Sequence, residues 1–110
     1  MNKYRTHLCS DLNISNLNED VTLSGWVDTI RDHGNLLFID LRDNFGITQC
    51  VIDGKHKLFS KISKISNESV IKIIGEVVKR SDETINTSIP TGEIEIKIEE
   101  YELLSESKTL

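Results

Sequence analysis

Between Leu36 and Arg42 the chain reads Leu-Leu-Phe-Ile-Asp-Leu-Arg, and the period of two in Leu37, Ile39 and Leu41 points to a half-buried β-strand. Successive side chains of a strand point to opposite faces, so a core beneath Leu37, Ile39 and Leu41 puts Leu36, Phe38, Asp40 and Arg42 on the other side. Phe38 is thereby predicted to be an exposed ring beside charge. Such a ring flanked by arginine has the composition of a platform on which a nucleic-acid base stacks, with a guanidinium near phosphate or base edges. The alternation is equally compatible with a Phe38 half covered by a neighbouring loop.

Four more β-like segments surround this one. Val21 to about Arg31 precedes it, with Val21, Leu23 and Val27 in one phase, and Ile47 to Ile52 follows it. The joining stretches Asp32-His33-Gly34-Asn35 and Asp43-Asn44-Phe45-Gly46 hold the residues that tolerate positive φ, which predicts a meander of three antiparallel strands. Leu58, Phe59, Ile62 and Ile65 then recur at helical spacing, so a helix is expected from Lys55 to about Ser66. Val70 to Lys79 and Ile94 to Leu104 are β-branched or alternating, the latter with Glu93, Glu95, Lys97 and Glu99 facing outwards. Between them, 81–92 is a polar loop too long for a hairpin turn, the kind of loop that often carries function. The fold class is therefore all-β with one inserted helix, in the order β-β-β-α-β-β of a five-stranded OB-fold Greek-key barrel, which binds single strands across strands two and three. Residues 1–20 are expected to form an N-terminal cap segment and 21–106 the barrel domain.

The length of 110 residues suits one domain that buries an adequate core. No apolar run is long enough to span a bilayer, and the N-terminus lacks the apolar stretch of a secretory signal, so a cytoplasmic protein with no membrane partner is expected. Cys9 and Cys50 are far apart and in no ligand spacing, so they read as reduced bystanders rather than zinc ligands or a disulfide. A net charge of −5 is the wrong sign for holding nucleic acid by non-specific phosphate attraction, so any RNA binding has to be local. Neither a phosphate-binding glycine loop, a nucleophile–base pair nor a metal-ligand cluster is visible, and no catalytic residue is assigned. The order of elements leaves open a generic single-stranded nucleic-acid-binding barrel and a protein-interaction barrel that never meets RNA.

Several blocks in order then narrow the choice: Tyr4-Arg5-Thr6-His7, Leu23-Ser24-Gly25-Trp26-Val27, Arg31 to Asp43, Gly46-Ile47-Thr48-Gln49, Gly75-Glu76-Val77 and Thr91-Gly92-Glu93-Ile94-Glu95. With these the chain resembles, over nearly its whole length, the N-terminal anticodon-binding domain of bacterial-type aspartyl-tRNA synthetases. The resemblance implies that Phe38 stacks on the middle anticodon base, a uridine, in agreement with the alternation. It implies that Gln49 hydrogen-bonds anticodon bases, that Arg31 contacts the middle and last letters, and that Glu95 serves at the guanine first letter. Without the resemblance, Gln49 reads as a surface glutamine lacking a partner and Arg31 as a surface charge paired with Asp28 or Asp32.

Arg80 and Asn86, around the loop before the last strand, stand at family-like positions for secondary RNA contacts. Thr29, Ile30 and Val78 replace residues that are often basic in the family, which implies modest backbone affinity, and Thr84 replaces an asparagine of some relatives. His33, between Asp32 and Gly34, resembles the relaxed type that accepts the asparagine tRNA as well as the aspartate tRNA, two anticodons differing only in C against U at the last letter. Relaxed charging implies an amidotransferase downstream. The fragment is expected to need no cofactor and to be non-catalytic. ATP and Mg belong to a parent homodimeric ligase, and 107–110 would begin the hinge towards its catalytic domain.

Overall fold

The structure, a computed structural model, describes residues 4–106. Five strands form β1 (Asp20–Asp32), β2 (Leu36–Arg42), β3 (Ile47–Asp53), β4 (Val70–Lys79) and β5 (Ile94–Ser105), with α1 (Phe59–Ile62) between β3 and β4. They close into a barrel in the order β1-β2-β3-β5-β4. The length of β1 makes closure possible. Its first half, Asp20 to Trp26, pairs with β4, and its second half, Trp26 to Asp32, pairs with β2 across an irregularity between Val27 and Thr29. The ring shuts through a short parallel contact of β3 and β5, Cys50 beside Ile96 and Val51 beside Lys97.

The alternating residues fill the interior as expected: Val21, Leu23, Val27, Leu37, Ile39, Leu41, Ile52, Ile71, Ile73, Val77, Ile94, Ile96 and Ile98 are buried in one cluster. Cys9 and Leu12 from the N-terminal segment join it. Cys9 is tied to the β2–β3 side of the barrel, its N–H donating to Asp43 Oδ2 at 2.8 Å and its carbonyl accepting from Thr48 Oγ1 at 2.7 Å. Both cysteines are free thiols, and burial pushes each well above the ordinary thiol range.

The helix is shorter than its periodicity suggested. Only Phe59–Ile62 is α-helical, because the flanking residues close tighter turns: Lys64 and Ile65 donate to carbonyls three residues back, and Leu58 N–H is taken by the His56 ring at 3.0 Å. The apolar face is nevertheless the expected one, with Ile62 fully buried and Leu58, Phe59 and Ile65 packed partly against the core. The expected hinge at 107–110 lies outside the described residues.

Candidate functional site

The outward residues of β1, β2, β3 and β5 make one continuous face, and the pairing register decides who meets whom. Thr29 stands opposite Asp40 and Asp40 opposite Gln49; one step along, Arg31 stands opposite Phe38 and Phe38 opposite Val51. Glu95 on β5 reaches the first of these rows, accepting from Gln49 Nε2 at 2.7 Å. Arg31, Phe38, Gln49 and Glu95, 64 positions apart at the extremes, are thus brought together with His33 at the end of β1.

Phe38 lies on the outer face but is only 8% exposed, which corrects the bare platform expected from alternation. Alternation fixes the side of the sheet on which a residue stands and says nothing of its neighbours there. The His33 ring stands edge-on to Phe38 with centroids 5.2 Å apart at 78°, and the Arg31 guanidinium carbon lies 6.0 Å from the Phe38 centroid. His33 itself is exposed, on a turn whose Gly34 has φ +77° and whose Asp32 Oδ1 accepts from the Gly34 N–H.

Arg31 does not pair with Asp28 or Asp32. Its Nη1 and Nη2 donate to the two Asp40 oxygens at 2.5 and 3.2 Å, and Nη2 also donates to Gln49 Oε1 at 2.9 Å. Asp28 instead faces Arg42, 3.3 Å away. Asp40 also accepts from Thr29 Oγ1 at 2.7 Å. Burial acts to raise the Asp40 carboxyl, but the bonds from Arg31 and Thr29 and the Arg31 charge prevail and hold it below its ordinary value. Gln49 is 4% exposed and bonded at both ends of its amide, so it is not a surface residue without partners. Glu95 is half-buried while Glu93, Glu99, Glu100 and Glu102 are exposed. Burial raises its carboxyl, and the Gln49 bond and the Arg80 charge offset only part of that rise.

Arg80 is 5% exposed, its Nε donating to Ile94 carbonyl at 2.8 Å and its Nη1 to Thr84 carbonyl at 2.9 Å. It braces the base of the β4–β5 loop from within. Asn86 is exposed, with Oδ1 accepting from Ser88 N–H at 3.0 Å. Arg80 and Asn86 share a cleft of about 380 Å³ with Arg31, Asp40, Arg42 and Gln49, floored in part by Ile47 and Ile89. A second depression of about 260 Å³ lies beside Phe38, between Val51, Val78, Glu95 and Lys97. Asp40 and Arg42 are members that sequence reasoning left out of the site. Their outward phase was legible, but their partners depend on register. No group of three His, Cys, Asp or Glu able to hold a metal ion occurs among the described residues.

A hydrogen-bonded polar chain with the buried Gln49 at its centre, flanked by a covered aromatic and two open depressions, is suited to binding flat, hydrogen-bonding rings. Comparison with known proteins agrees with that description. The family model described as an OB-fold nucleic acid binding domain, of the tRNA anti-codon type, matches residues 21–104. The aspartate–tRNA(Asp/Asn) ligase of Pelagibacter ubique is 59% identical over all 110 residues, and the chain spans 18% of that relative's length. Among solved structures, the asparaginyl-tRNA synthetase of Pyrococcus horikoshii superposes with a TM-score of 0.76 at 26% identity, covering 92% of this chain and 22% of that one. The aspartyl-tRNA synthetase of Entamoeba histolytica, at 22% identity and a TM-score of 0.80 over 93% of this chain and 21% of its own, shares the fold.

Proposed function

This chain belongs to the family of OB-fold nucleic acid binding domains, and from that membership we propose that it reads the anticodon of the aspartate tRNA as the N-terminal part of an aspartate–tRNA ligase. The observation that carries the reading is the gathering of Arg31, Phe38, Gln49 and Glu95 on one face of four strands. The middle uridine stacks on Phe38, sliding past or displacing the exposed His33 ring that stands edge-on to it. Gln49 and Arg31 read base edges, and Glu95 accepts from the paired N–H donors of the guanine first letter. Asn86 adds a contact from the loop. Arg80 acts at one remove, by holding that loop against β5.

His33, beside Phe38 and exposed, offers a donor or an acceptor according to its tautomer, and the names of the similar Asp/Asn ligases support the asparagine tRNA as a second substrate. Anticodon binding contributes selection: it favours the correct tRNA and helps present the distant acceptor end to a catalytic domain. That domain, with ATP, Mg and a homodimeric assembly in the cytoplasm, belongs to the parent ligase. No helix among the described residues is long and apolar enough to cross a membrane.

The test is titration of the chain with two anticodon stem-loops ending in C and in U, at one salt concentration. Comparable affinity is expected. A strong preference for the C form would restrict the parent to the aspartate tRNA. Binding of neither would overturn the RNA reading in favour of a protein-interaction barrel.

A further inference from the structure

Gln49 carries a donor and an acceptor of nearly identical shape on one amide, and turning that amide over exchanges them. Its Oε1 accepts from Arg31 and its Nε2 donates to Glu95. A guanidinium can only donate and an ionised carboxylate can only accept. A turned-over amide would therefore set N–H against N–H and oxygen against oxygen, losing two bonds at a residue only 4% exposed. Asp40 holds the Arg31 fork at both oxygens and Thr29 in turn bonds Asp40, which aims the guanidinium at Gln49.

We propose that Asp40, Arg31 and Glu95 are positioning residues that fix which way round the Gln49 amide faces, and that this polarity selects uridine over cytidine at the middle letter, whose stack on Phe38 lies diagonally beside Gln49. The inference rests on the anticodon reading above. Each end of the amide keeps one further hydrogen-bonding position, a lone pair on Oε1 and an N–H on Nε2. Uridine presents an N3–H donor flanked by carbonyl acceptors, whereas cytidine presents an N3 acceptor beside an amino donor. An amide free to turn satisfies either base. With the base held by its stack on Phe38 so that ring position 3 faces Oε1, a fixed amide accepts the uridine N3–H and donates to the flanking carbonyl, whereas cytidine in the same place sets its N3 lone pair against Oε1 and its amino group against the Nε2 N–H.

The experiment compares stem-loops differing only in U or C at the middle letter, so that contributions from the first and last letters cancel in the ratio. A neutral amide at position 95 can accept or donate, so Glu95→Gln opens the lock without removing bulk. The unaltered chain is expected to prefer U on the order of tenfold, and Glu95→Gln to bring the ratio within about twofold of unity. Without RNA, the Gln49 side-chain amide in ¹⁵N NMR is expected to give one strongly shifted pair of resonances that moves towards free-amide values in the variant. Asp40→Asn loosens the chain from its other end and should act likewise; it replaces Glu95→Gln if thermal denaturation shows that variant unfolded. Release of the Gln49 resonances with the U preference intact would overturn the inference while leaving the anticodon reading standing, as would free-amide resonances in the unaltered chain. If the unaltered chain binds neither stem-loop, the reading itself fails and the lock has no selective role.

Discussion

At the scale of single residues, Phe38 combines two duties that its burial ties together. Because the ring is covered by Arg31, His33 and Val51 rather than bare, Phe38→Ala is expected to lower the unfolding free energy by roughly 1–3 kcal/mol. It should also weaken stem-loop binding tenfold or more, in line with the ~1–3 kcal/mol of a lost base stack. Denaturant unfolding and titration of the same sample separate the effects, and unchanged RNA affinity in the folded variant would sink the stacking role. Asp40 illustrates a different economy of charge. Its carboxyl is held below the usual value, so its stabilisation is present above the unfolded-state pKa and is lost as pH falls through the folded one. The stability difference between the unaltered chain and Asp40→Asn should accordingly shrink in acid, below the ordinary 3.8. A difference that stays constant down to low pH would show that the Arg31 pairing is not what depresses Asp40.

The β4–β5 loop is the element on which the cleft shared by Arg80 and Asn86 depends, and it is held at a place where only glycine fits. A Cβ on Gly92 would lie 1.5 Å from the Asn86 carbonyl oxygen, while Asn86 N–H donates to the Gly92 carbonyl at 2.9 Å. Gly92→Ala should therefore push Asn86 out of place and lower stability by at least about 1 kcal/mol. Hydrogen exchange should locate the damage between Arg80 and Glu93 and leave β1 and β2 protected. Exchange that rises evenly through the barrel would contradict a loop held locally. The loop is tied down from inside by Arg80, which makes an arginine in a nominally RNA-facing segment part of the scaffold.

For the whole molecule, net charge and site chemistry give a consistent expectation. At −5 overall, with Arg31 paired to Asp40, Arg42 beside Asp28 and Arg80 bound to carbonyls, few cations face the solvent at the site ready to meet phosphate. Affinity should depend weakly on salt, with a logarithmic slope no steeper than about −2, the release of two or three counterions from a single strand. Titration over a range of salt concentrations measures this slope. A markedly steeper one would mean that binding is dominated by backbone charge, as in a generic single-strand binder.

Local patterning settled the strands, their inward faces and their order, because the period of two in Leu37, Ile39 and Leu41, or Ile94, Ile96 and Ile98, has no other way to bury its apolar half. It also put Phe38, Asp40, Gln49 and Glu95 on the outer side. The extent of α1 was not legible, since tight turns on both flanks share the apolar spacing of a longer helix. Beyond that, the sequence alone could not say that Arg31 would choose Asp40 over its neighbours Asp28 and Asp32, that Gln49 would lose its solvent, or that His33 would stand over Phe38. Those outcomes depend on cross-strand register and on barrel closure bringing β5 against β3, contacts between residues up to 46 positions apart that no local pattern encodes.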